Sequence, residues 1–260
     1  MPVTVMIVVV KRGDAAVKVQ IHKKKYSRSG CLICGRPVVY TRQSVIYTCR
    51  ICKAEFEGNA ICEAGHYICD GCHASSQADF VKMLAASEEK APIKLLDMVT
   101  GLKNVHMHGP EHHSIVPCVL LTAYHNSGGV IELAASLETA VKRGGQVTGG
   151  SCGYWGACGA AVGAGIYASI VTGSNPLNKA VWSIPQLLTA QCLEKIAASG
   201  GPRCCKRASR IAIETAAEFT KEHFGVEMPV KISKCTFYMH NKECLREDCV
   251  YYGGVMNAEI

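Results

Sequence analysis

Four pairs of metal-type ligands are crowded into residues 31–72: Cys31 with Cys34, Cys49 with Cys52, Cys62 with His66, and Cys69 with Cys72. Three of the pairs are C-x2-C, a spacing that lets two thiolates face one tetrahedral ion while the turn amides support them. One such pair is weak evidence of metal; four in succession are strong evidence. The segment is therefore expected to fold around two zinc ions held by seven cysteines and one histidine.

The stretch C-x2-C…C-x3-H-x2-C-x2-C from Cys49 to Cys72 resembles the first six ligands of a RING finger, with the last RING pair missing and Cys31 and Cys34 standing upstream in its place. The cross-brace order of that family implies one ion on Cys49, Cys52, Cys69 and Cys72, and a second on Cys31, Cys34, Cys62 and His66. The ligand order departs from the family, so ubiquitin transfer does not follow from the resemblance.

The chain has 16 cysteines in 260 residues. The apolar start MPVTVMIVVV has no basic leader, has no small-residue cleavage site and is too short to span a bilayer. The expectation is a cytoplasmic protein, in a reducing, anaerobic setting, whose thiols serve metal or redox chemistry rather than disulfides. The net charge of +7 is densest near the N-terminus, at Lys23, Lys24, Lys25 and Arg28. No aromatic residue interleaves the lysines of that run, so nucleic acid is the weakest partner.

Periodicity sets the fold class as α+β. Val3, Val5, Ile7 and Val9 alternate, Lys11 to Asp14 supply a turn, and Val17, Val19 and Ile21 resume, which predicts a hairpin. Helical spacing begins after residue 76: Phe80, Met83 and Leu84, then Leu95, Leu96 and Val99, then a stripe from Val130 to Val141 stopped by Gly144 and Gly145. The expected organisation is a hairpin and zinc knuckle over 1–75, a mostly α-helical domain over 76–225, and a cysteine-containing tail over 226–260.

A second set of cysteines lies in the helical domain. Cys152 and Cys158 sit in a glycine-rich loop entering a helix, and Cys204 and Cys205 open another after Gly200 to Pro202. Helix N-termini favour thiolate. Cys118 and Cys192 stand alone, as small buried hydrophobes commonly do. GACGAAVGAGIYASIVTG (156–173) followed by GGPRCCKRASRIAIETA (200–216) resembles the core of the iron–sulfur serine dehydratase and cysteine desulfidase families, and HGPEHHSIVP (108–117) is loosely similar to their substrate loop. That resemblance implies a [4Fe-4S] cluster on three cysteines, drawn from Cys152 or Cys158, Cys192, and Cys204 or Cys205. An open iron would activate a substrate thiol or hydroxyl, with Glu111, His112 or His113 nearby as base. The whole chain is also similar to an uncharacterised cysteine-rich domain family of anaerobic archaea and bacteria.

The tail adds Cys235, Cys244 and Cys249, with His240 between them, as a further zinc or cluster set. Two functional readings follow. One is an iron–sulfur-dependent lyase or sulfur-handling enzyme acting on a small thiol or hydroxy acid. The alternative is a non-catalytic zinc and iron–sulfur module that docks on or serves a partner enzyme. The aromatic residues Phe237, Tyr238, Tyr251 and Tyr252 predict that the tail packs onto the helices.

Overall fold

The computed structural model describes residues 5–12, 15–22, 30–73, 77–102 and 104–254, with side chains over 30–73, 78–102 and 104–254. The basic run at 23–28, the hairpin tip at Gly13 and Asp14, and Val3 lie outside the described residues. The chain divides into two compact units, Met1–Cys69 and Asp70–Ile260.

The first unit is built from two antiparallel hairpins. Strands β1 (Val5–Arg12) and β2 (Ala15–His22) pair in the register Val5 to His22, closing at Arg12 and Ala15. Strands β3 (Val38–Thr48) and β4 (Glu55–Cys62) pair with a register shift between Tyr40 and Val45. The apolar side chains of this second hairpin do not form a core. Val38, Tyr40, Ile46 and Phe56 are exposed, as are Ile33 and Ile51 in the neighbouring turns. In residues 30–69 the buried side chains are Cys31, Cys49, Cys62 and Cys69. The interior of the knuckle is sulfur.

The second unit is helical: α1 (Asp70–His73), α2 (Gln77–Ala85), α3 (Pro92–Gly101), α4 (Glu111–Asn126), α5 (Leu133–Gly144), α6 (Ser151–Tyr154), α7 (Gly159–Thr172), α8 (Ser183–Ala198) and α9 (Cys205–Phe224). The α+β class holds. Helix α4 is the central element: every side chain from Glu111 to Tyr124 is buried, and α2, α3, α5, α7 and α9 pack around it. Its middle, Ile115 to Leu121, is apolar on every face, as an interior helix must be, and Ile115, Leu120 and Leu121 share one core cluster with Tyr167, Leu188 and Phe219. Val130, expected at the head of the α5 stripe, lies before that helix and is exposed.

Glycines would weaken α7 if it stood in water. Its small face instead lets α4 approach closely. Pro117 has no N–H to bond the carbonyl of His113, four residues back in α4. A Cβ on Gly163 would lie 2.9 Å from Pro117 Cδ and 3.0 Å from that carbonyl oxygen. Gly163→Ala is expected to destabilise by about 1–3 kcal/mol through overpacking, outweighing the roughly 1 kcal/mol of helix propensity that alanine gains. A denaturant midpoint raised by the substitution would contradict this packing.

The tail docks on the helices, as its aromatic residues predicted. Tyr251 donates to Glu214 Oε2 at 2.9 Å, and Arg210 donates to both Oγ (2.8 Å) and the carbonyl of Ser233 (3.2 Å). One bridge, Cys235 to Tyr252, closes a segment that contains the short 3-10 turns Tyr238–His240 and Arg246–Asp248. No helix among the described residues is long and apolar enough to cross a membrane.

Candidate metal centres

The ligand atoms of Cys31, Cys34, Cys62 and His66 all lie within 4.8 Å of one another, and so do those of Cys49, Cys52, Cys69 and Cys72. These are the two quartets implied by cross-brace order, and each can hold a metal ion. Turn amides point at the sulfurs: Ile33 N–H donates to Cys31 Sγ (3.4 Å), Ala64 N–H to Cys62 Sγ (3.3 Å) and Cys69 N–H to Cys49 Sγ (3.4 Å). Burial pushes the Cys49 thiol up, yet the amides of Cys69, Cys52 and Ile51 outweigh it and bring its pKa down to about 6. Hydrogen bonds to sulfur favour thiolate, the form a metal requires.

A third thiol group forms where the tail meets the N-terminus of α9. Cys204, Cys235, Cys244 and Cys249 line one pocket, together with Arg207, Arg210 and Asn241. The amide motif of the knuckle recurs here. Phe237 N–H donates to Cys235 Sγ and Arg246 N–H to Cys244 Sγ, both at 3.4 Å, and Asn241 Nδ2 lies 3.6 Å from Cys204 Sγ. Burial raises the Cys204 thiol, while the Arg207 amide and guanidinium lower it and the charges of Cys235 and Cys249 raise it. Among the described residues, these four thiols are not a group whose ligand atoms fall within 4.8 Å of one another. Their sulfurs are spaced more widely than the ligand atoms of the knuckle quartets.

The other cysteines of the helical domain are placed differently. Cys152 is exposed on α6, and Cys158 occupies the N-cap position of α7, where burial raises its thiol. Cys192 is fully buried on α8, its thiol donating to the Ala212 carbonyl at 3.7 Å. Burial pushes the Cys192 thiol up to about 12, the behaviour of a small core hydrophobe. Cys118 is buried likewise. Cys205 turns from the thiol pocket toward the Gly109 amide and Glu111, and burial pushes it up to about 12.

Glu111 is the centre of a further cluster. Its side chain is fully buried, with His73 Nδ1 at 3.1 Å, His106 Nδ1 at 3.5 Å and His112 Nδ1 at 3.8 Å from its oxygens. Burial would raise its carboxyl, but His106 and His73 hold it well below the usual carboxylate range. Burial and the Lys206 charge keep His112 neutral. Lys206, itself buried, is lowered by desolvation to about 8 and stacks 4.9 Å from the Phe237 ring centroid. His113 faces elsewhere and binds the Val147 carbonyl at 2.8 Å. His73 and Lys206 were not expected here. The run Cys72–His73 was the only sequence sign of the first, and the second reads in sequence as a charge beside thiols.

The fold and these constellations define a cysteine-rich α+β protein with sites able to hold metal ions. Residues 80–252 match the model of a family of unknown function (DUF5714), and the chain belongs to that family. No curated protein and no solved structure matches it.

Proposed function

We propose that the protein is an electron-transfer module in which two zinc ions brace the knuckle and Cys204, Cys235, Cys244 and Cys249 hold a [4Fe-4S] cluster. The observation that carries this reading is the convergence of four thiols on one pocket, with N–H donors on three of the sulfurs and a wider spacing than in the knuckle's quartets. Cubane clusters are held by four cysteine thiolates, and hydrogen bonds to sulfur, charge and exposure tune their potentials. Arg207 and Arg210 in the wall offset the negative charge of such a cluster. When bound, the cluster would supply one-electron transfer.

Four cysteine ligands leave no iron open, so this ligand set favours electron delivery over the β-elimination chemistry of the dehydratases and desulfidases. Val250, next to Cys249 in sequence, and Met239, between Cys235 and Cys244, are both about three-quarters exposed and offer a surface for a redox partner enzyme. The β-elimination reading, with a small thiol or hydroxy acid as substrate, needs an iron free of one protein ligand.

Anaerobic reconstitution of the full chain with ferrous iron and sulfide is expected to load about four irons, with a broad visible absorption that bleaches on reduction. Cys204→Ser and Cys249→Ser should lose iron and colour, whereas Cys152→Ala and Cys158→Ala should keep both. A preparation that never takes up iron and sulfide, or that loses them in Cys158→Ala but not in Cys249→Ser, would overturn the assignment.

A further inference from the structure

A buried anion needs a compensating charge or a full set of hydrogen bonds. Glu111 has neither in full. Its Oε1 accepts the backbone N–H of His106 at 2.9 Å, but its Oε2 has no hydrogen-bond partner. The Nδ1 atoms of His73 and His106 also lack hydrogen-bond partners, although they lie 3.1 and 3.5 Å from the carboxylate. These atoms are close without being aligned to bond one another. Donors converging on a shared ion have that geometry. Metal–ligand bonds of about 2.0–2.1 Å at tetrahedral angles put neighbouring ligand atoms about 3.3 Å apart.

From this geometry we infer that His73, His106 and Glu111 form a mononuclear site for a divalent transition-metal ion, independent of the cysteine sites. The three ligand atoms lie within 4.8 Å of one another, and the two imidazoles meet edge to face with centroids 5.0 Å apart. Two histidines and a carboxylate suit zinc or ferrous iron and leave coordination positions open, as catalytic rather than structural sites do. The backbone is shaped for it. A Cβ on Gly109 would lie 2.0 Å from Glu111 Oε2, so only glycine leaves the carboxylate this place. The Asp70 carboxylate anchors α1, which carries His73, by accepting the Gly149 N–H at 2.6 Å. His112 Nε2 and Lys206 Nζ, also buried and unpartnered, share the same interior as polar groups available to a ligand on the ion.

The test is an anaerobic titration with Co2+ alone on full-length protein whose knuckle has been loaded with zinc. Wild type is expected to bind one equivalent more than Glu111→Gln, His106→Ala or His73→Ala. The lost signal should be weak ligand-field absorption, with thiolate-to-cobalt charge transfer unchanged. His106→Ala and His73→Ala remove only partly exposed rings, so they decide the matter if Glu111→Gln does not fold. Equal cobalt uptake by wild type and by either histidine variant that retains its knuckle zinc would overturn the site. Loss confined to the thiolate bands would do the same.

Discussion

Cys69→Ser is expected to release metal and unfold residues 30–73. Cys69 is buried, its sulfur lies 3.8 Å from that of Cys52, and its amide bonds the sulfur of Cys49. An isolated two-stranded hairpin is marginal in water, and β3–β4 has no apolar interior to support it. Metal binding must then supply the folding free energy, which for structural zinc is about 10–16 kcal/mol apparent at neutral pH. Loss of one of four thiolates should remove most of it. Zinc content and amide exchange of the knuckle should fall together in Cys69→Ser and on strong chelation, while the helices stay protected. A metal-free knuckle that keeps its slow amides would refute this.

The second large effect is expected at Arg210. Its guanidinium is buried on α9 and pairs with Asp97 on α3, while the same fork holds Ser233 of the tail and lies 5.7 Å from the Tyr251 ring. Ser233 Oγ closes the network by donating to Asp97 Oδ2 at 2.6 Å. Breaking a buried pair from one side costs about 3–5 kcal/mol because the remaining charge is left uncompensated. Asp97 is about one-third exposed, so solvent screens part of that loss and Arg210→Ala should fall near about 3 kcal/mol. Arg210→Met restores stem packing and should recover only part of it. The tail should become protease-sensitive in Arg210→Ala. A stability loss under about 1 kcal/mol with an intact tail would show that the network does not hold the tail down.

The knuckle was legible because its information is local. Paired ligands two or three residues apart report a turn that presents both to one ion, and every knuckle pair falls in one of the two quartets. Helices α2, α3 and α5 were equally readable from their apolar period, and the end of α5 from its glycines, since both are short-range properties. The tail cysteines were readable as ligands but not as a site. Their fourth partner, Cys204, lies 31 residues upstream of Cys235, and no spacing rule connects a helix cap to a tail that folds back on it.

Sequence alone thus determined that cysteine pairs would make a knuckle able to hold metal ions and that a helical body would follow, because each depends on neighbours within a turn or two. Tertiary structure decided which thiols meet. It gathered Cys204 with the tail, left Cys192 in the core and turned Cys205 toward Glu111. It also brought His73, from the end of the knuckle segment, to His106 and Glu111. Such sites depend on how α1, the loop before α4 and the start of α9 pack against one another, and no local spacing encodes that long-range arrangement.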